Sequence, residues 1–119
     1  MKKVIYSPGE PAGIGPDLII KIACSQSWEN FKIPIVSIGD PNLFLERAKL
    51  LSKKINIDEI DSICESKPNR RSVLQVIKLT KCRNTSPGKL YKSNGEYVLN
   101  NLNYAIKETI KDKKTALVT

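Results

Sequence analysis

Residues 6–17 read Tyr-Ser-Pro-Gly-Glu-Pro-Ala-Gly-Ile-Gly-Pro-Asp, and few folds accommodate such a segment between an apolar strand and an apolar helix. Gly9, Gly13 and Gly15 let the backbone take φ > 0 and approach a ligand closely, while Pro8, Pro11 and Pro16 stiffen the remainder. Pro16 suits the first position of the following helix, and Asp17 in its first turn is favoured by the positive end of the helix dipole. The glycine order matches neither the Gly-x-Gly-x-x-Gly dinucleotide fingerprint nor a P-loop, because Gly15 is followed by Pro16 and not by Lys-Ser/Thr. Spacing alone leaves two readings open: a ligand-facing loop and a purely structural tight turn.

The remaining chain alternates apolar strands with amphipathic helices. Val4–Ser7 reads as a strand, and Pro16 to about Ser25 as a helix burying Leu18, Ile19, Ile22 and Ala23. Ser27–Lys32 is expected to be a connector whose Trp28 and Phe31 cover the core edge. Ile33–Ile38 is a second strand, with Pro34 implying a sheet edge or a place just ahead of the ladder. Asp40 is a natural N-cap and Pro41 a first-turn residue for a helix ending near Lys53, with Leu43, Phe44, Arg47, Ala48 and Leu51 inward and the stem of Arg47 packed beneath its charge.

Further on, residues 55–65 read as a short strand followed by irregular structure, 66–72 as a loop and Val73–Leu79 as a strand. Thr80–Thr85 reads as a connector. Ser86-Pro87 opens a long helix to about Asp112, with Tyr91, Val98, Leu102, Ala105, Ile106 and Thr109 on one face and a break at Asn94-Gly95 as the alternative. Lys111, Lys113 and Lys114 suit its carboxyl end. Ala116–Thr119 reads as the start of a buried parallel strand, so the sequence is expected to be cut short. The alternation argues for an α/β fold, a layered α/β/α sandwich with a mainly parallel sheet. Residues 1–119 form one portion of it, with no internal domain boundary.

Composition narrows the functional classes. The absence of histidine excludes Ser/His and Cys/His nucleophile arrangements and histidine-bound metal within these residues. Cys24, Cys64 and Cys82 are scattered without a Cys-x-x-Cys pair and read as reduced core or surface residues. No apolar run approaches the roughly 18 residues that span a bilayer, and the short strand after Met1-Lys2-Lys3 is no signal-peptide core, so a cytoplasmic location without membrane association is the expectation. The net charge of +8 is concentrated late: eight basic residues and no acid lie between Lys67 and Lys92. Only Tyr91 interleaves them, which favours a solvated basic surface that draws in anionic substrates over a nucleic-acid interface.

The run at residues 7–17, Ser-Pro-Gly-Glu-Pro-Ala-Gly-Ile-Gly-Pro-Asp, resembles the amino-terminal motif of the 4-hydroxythreonine-4-phosphate dehydrogenase family of pyridoxal phosphate biosynthesis. It is also similar to the glycine loop of the isocitrate and isopropylmalate dehydrogenases. Ile35–Asp40 with Leu43–Ala48 looks like the family's second strand and helix, and Ser93–Tyr97 with Ala116–Thr119 like the segment leading to its next strand.

The resemblance implies an isocitrate/isopropylmalate dehydrogenase-like fold, incomplete in this chain, which would be about the first third of a family member. It implies NAD-dependent oxidation and decarboxylation of 4-phosphooxy-L-threonine to 3-amino-2-oxopropyl phosphate, with a divalent metal (zinc, magnesium or cobalt) held by histidines in a homodimer. Those metal ligands have no counterpart here, and no catalytic residue is carried over. The loop residues Gly9, Glu10, Pro11, Gly13, Ile14 and Gly15 would line the cleft for NAD and the phosphorylated amino-acid substrate, with backbone amides contributing more than side chains. Asp17 and Asp40 read as helix caps, and Asn94 and Tyr97 as surface and helix packing. Two other classes stay open: an inactive truncated remnant, and a small basic nucleic-acid-binding module.

Overall fold

The computed structural model describes residues 2–80, 88 and 92–119. Its sheet has five strands, β1 (Lys3–Tyr6), β2 (Ile35–Ile38), β3 (Asn56–Glu59), β4 (Val73–Ile77) and β5 (Thr115–Val118), in the order β3-β4-β2-β1-β5. Every pairing is parallel, with Ile5 opposite both Val36 and Leu117. Because side chains alternate across a strand, each strand feeds two cores. On one face α1 (Gly15–Ala23), α2 (Gln26–Asn30) and α3 (Pro41–Leu50) bury Ile19, Ile20, Trp28 and Phe44 against Leu74 and Val76. On the other, α4 (Gly95–Lys111) sets Ala105 among Ile5, Val36, Ile38 and Ile77. The layered, mainly parallel α/β reading of the sequence therefore holds.

Several local expectations hold with it. Asp40 caps α3 by accepting from the Asn42 amide at 3.0 Å, Pro41 opens that helix, and Leu43, Phe44, Arg47 and Ala48 face inward. The strand and irregular structure expected over 55–65 are β3 and a 3-10 turn at Ile63–Glu65. Pro34 lies just ahead of β2, where its carbonyl accepts from the Val4 amide at 2.9 Å, and β2 is central, not an edge. The long helix breaks where the alternative reading placed it: a 3-10 turn, Lys92–Asn94, precedes α4, so Gly95 begins the helix and does not weaken its middle. The expected cap at Ser86-Pro87, the Thr80–Thr85 connector past Thr80, Tyr91 and Cys82 lie outside the described residues.

Other expectations are corrected. In α1 the inward residues are Ile19, Ile20 and Ala23, whereas Leu18 and Ile22 are 46% and 49% exposed, because the helix face toward the β5 edge has no cover among the described residues. In α4 the buried stripe is Tyr97, Asn101 and Ala105, turned from the expected one so that Tyr97 reaches the turn after β2; Ile106 faces outward. Residues 26–30 are helical, with Trp28 wholly inside and Phe31 out. Strand β5 lies at the sheet edge and is not buried. Asn94 is fully buried, not a surface residue.

The loop over 66–72 does structural work that its sequence does not advertise. Asn69 is buried; its Oδ1 accepts from the Ile35 amide at 3.0 Å and its Nδ2 donates to the carbonyls of Phe31 and Ile33 at 2.9 Å each. Gln75, inside β4, likewise accepts from the Lys67 amide and donates to the Lys67 carbonyl. Replacing Asn69 by Ala strands one amide and two carbonyls and is expected to cost about 3 kcal/mol. Asn69→Asp, which sets a carboxylate against two carbonyls, is expected to cost more. Chemical denaturation checks both: the midpoints should fall in that order with the slope unchanged.

Candidate functional site

The glycine loop leaves the carboxyl end of β1, beside the carboxyl ends of β2 and β5: the Ser7 amide donates to the Val118 carbonyl at 2.9 Å. β1 is followed by helices on one face of the sheet, and β5 is reached from α4 on the other, so the chain changes direction between these two neighbours. Openings at such reversals, outside the carboxyl ends of the strands, are where ligands bind in open α/β sheets.

Each glycine has its own reason. Gly9 has φ +80°, a conformation costly for side-chain-bearing residues. A Cβ on Gly15 would stand 2.1 Å from the Pro8 carbonyl oxygen, so the loop closes on itself only with a bare Cα there. Gly13 donates to the Glu10 carbonyl at 3.0 Å, making a tight turn, and the Ala12 amide donates to the Glu10 carboxylate at 3.3 Å.

The loop's carbonyls are drawn inward. Arg47 on α3, 4% exposed, donates from Nη1 to the Gly13 carbonyl at 2.9 Å and to Asp17 Oδ1 at 2.7 Å, and from Nη2 to the Pro11 carbonyl. Its whole guanidinium is thus internal, beyond the packed stem expected from sequence. Asp17 serves as the partner of this cation and not as a helix cap; α1 has no side-chain cap, its N-cap being Ile14. The Tyr6 hydroxyl donates to the Gly15 carbonyl at 2.9 Å. Burial raises the Tyr6 pKa, so the stability that the fold draws from keeping this phenol neutral is complete below about pH 10, the unfolded phenol value, and is lost as pH climbs through the raised folded value.

Of the six loop residues singled out from sequence, Gly9, Glu10, Gly13 and Gly15 are half-buried and Ile14 is 70% exposed, so the loop is open at Ile14, while the Gly88 amide covers the Ala12 carbonyl at 2.9 Å. Pro11 differs: it is buried beneath the loop and contributes its carbonyl to Arg47. Among the described residues the amides of Gly9, Glu10 and Ile14 make no hydrogen bond. The equivalent turn after β2 is closed by comparison: Asp40 caps its own helix, the Asp40 amide donates to the Tyr97 hydroxyl at 2.8 Å, and a Cβ on Gly39 would press on Phe44 and Tyr97.

An apolar cavity of about 320 Å³ lies nearby, lined by Tyr6, Leu18, Ile22, Trp28, Val118 and Thr119 among others. None of the six loop residues lines it, and its walls carry almost no polar groups, so it is suited to apolar side chains and not to a charged ligand. Among the described residues no three His, Cys, Asp or Glu side chains cluster as metal ligands, and no helix is long and apolar enough to cross a membrane. Cys24 is half-buried and Cys64 exposed, both free. In the basic stretch, Lys67 and Arg70 both pair with Asp58, which reduces its cationic face.

Gly15→Ala is expected to cost more than about 3 kcal/mol, because backbone must move to admit the methyl. Gly95→Ala, whose Cβ meets nothing within 4 Å, is expected to be neutral or stabilising by up to about 1 kcal/mol. Thermal and denaturant unfolding of the two variants side by side checks the contrast.

Residues 30–119 match the family model described as pyridoxal phosphate biosynthetic protein PdxA. The 4-hydroxythreonine-4-phosphate dehydrogenase of Shewanella frigidimarina is 34% identical over 118 residues, 99% of this chain and 35% of its own. That of Colwellia psychrerythraea is 36% identical over the same length and shares. The chain thus spans about a third of the length of the curated relatives it matches. Among solved structures, the enzymes of that name from Burkholderia phymatum and Klebsiella pneumoniae superpose with a TM-score of 0.79 at 21% and 20% identity, over 99% of this chain and 37% of theirs, which establishes the shared fold. With the family model covering most of its residues and relatives above 30% identity spanning nearly all of it, the chain belongs to the PdxA family of pyridoxal phosphate biosynthetic proteins.

Proposed function

We propose that these residues are the amino-terminal part of a 4-hydroxythreonine-4-phosphate dehydrogenase, and that the glycine loop is one wall of the cleft for NAD and 4-phosphooxy-L-threonine. The observation that carries this reading is the polarity of the loop: carbonyls of Pro11, Gly13 and Gly15 are satisfied inside, while among the described residues the amides of Gly9 and Glu10, and of Ile14 at the uncapped helix start, have no partner. Unpaired amides beside a helix N-terminus favour anionic oxygen, the chemistry of a phosphate ester or a pyrophosphate. The Glu10 carboxylate, hooked to the Ala12 amide, is suited to accept from a sugar hydroxyl or from the ammonium group of an amino-acid substrate.

When bound, NAD would supply the hydride acceptor for oxidation of the secondary hydroxyl of 4-phosphooxy-L-threonine, the overall products being carbon dioxide and 3-amino-2-oxopropyl phosphate. The part played by this chain is binding and orientation: the loop fixes the anionic end of a ligand and leaves proton transfer to groups elsewhere. A divalent metal does not fit the described residues, which bring no three His, Cys, Asp or Glu side chains together, and the sequence has no histidine. Its ligands would belong to the rest of such an enzyme.

Titration with NAD and, separately, with 4-phosphooxy-L-threonine, followed by amide NMR, tests the reading. The Gly9, Glu10, Ile14 and Gly15 resonances are expected to move, and residues 1–119 alone are expected to produce no NADH. Perturbations confined to other parts of the sheet, with these four amides still, would remove the loop from the cleft.

A further inference from the structure

The loop's outward amides are set by a residue that lies 30 positions beyond its end. We propose that Arg47 is a positioning residue for the ligand cleft: by holding two loop carbonyls inside the protein, it aims the Ile14 amide and the Glu10 carboxylate outward. This rests on the reading of the loop as a cleft wall.

A trans peptide group points its C=O and the next residue's N–H in opposite directions, and the chain has no cis peptide among the described residues. The Gly13 carbonyl, held inward by Arg47, therefore turns the Ile14 amide outward, where it has no partner among the described residues. The Pro11 carbonyl, held by the other arm of the guanidinium, turns the Ala12 amide outward, and it is this amide that hooks the Glu10 carboxylate. One buried fork thereby orients both a donor and an acid of the opening.

The choice of arginine fits this role better than it fits simple stability. A buried cation carries a desolvation cost that an apolar side chain of the same length avoids, and exchanging buried ion pairs for apolar groups is often neutral or stabilising. A planar fork also reaches two carbonyls and the Asp17 carboxylate together, which the single ammonium of lysine cannot reproduce.

The test uses the natural polypeptide carrying these residues, with Arg47→Met and Arg47→Lys, each checked for folding by circular dichroism. In folded Arg47→Met the Ala12 and Ile14 amide resonances are expected to move and the Ala12 amide to exchange at least about tenfold faster, while sheet resonances stay in place. KM for 4-phosphooxy-L-threonine is expected to rise about tenfold or more, with a smaller fall in kcat, and Arg47→Lys to recover part of both effects. Wild-type amide positions and wild-type KM in folded Arg47→Met would overturn the proposal; if that variant does not fold, the same two results in Arg47→Lys would overturn it. Should the unaltered protein turn over no NAD while the amides still move in the variants, the positioning role stands and the dehydrogenase reading falls.

Discussion

A cation inside the protein holds this architecture's working end together. The Arg47 guanidinium is nearly inaccessible, and burying it without partners would be prohibitively costly. It is tolerated because Asp17, three-quarters buried, lies 2.7 Å away and because the loop turns two carbonyls toward it. The dependence is mutual. Those carbonyls lie in a turn too tight to pair with any strand or helix, and inside the protein they need a donor. Loop, α1 and α3 thus satisfy one another: Asp17 comes from the first turn of α1, Arg47 from the last turn of α3, and the loop connects the first strand to the first helix.

This mutual dependence explains which features were legible in the sequence. Turn chemistry was, because it is local: Pro16 and Pro41 at helix starts, Asp40 as a cap, and glycines in the two strand-to-helix turns. The layered, mainly parallel plan with burial on both faces followed from apolar alternation, whereas the strand order β3-β4-β2-β1-β5 emerges only in the fold. Positive φ, expected for all three loop glycines, occurs only at Gly9; at Gly15 it is the Pro8 carbonyl, invisible in the sequence, that demands a bare Cα. Asp17 carries the marks of a helix-start acid, and only the fold reveals that its oxygen faces a guanidinium. Asn69 sits in a segment whose composition says loop; its three bonds to the approach of β2 depend on pairings more than thirty residues away.

Helix phase was misread for a related reason. In α1, Leu18, Ile19, Ile20 and Ile22 are all apolar, so periodicity cannot decide which pair faces the sheet. The sheet decides: Ile19 and Ile20 meet the strands, and Leu18 and Ile22 are left beside the edge strand, lining an apolar hollow with Trp28 and Val118. In α4 a polar contact sets the phase, since Tyr97 must bring its hydroxyl to the Asp40 amide and so carries Asn101 and Ala105 inward with it.

The two strand-to-helix turns at adjacent strands then form a natural comparison. Both follow a parallel strand, both use a glycine and both place a proline at the helix start. The second turn supplies its own cap from Asp40, draws Tyr97 over its backbone and packs Phe44 against its glycine, which leaves no room beside it. The first has isoleucine where a cap would be, keeps its carboxylate below in contact with arginine and exposes amides above. Both turns begin from nearly the same backbone problem, unpaired donors at the start of a helix. One solves it internally; the other leaves amides unpaired among the described residues and sets a buried ion pair beneath them.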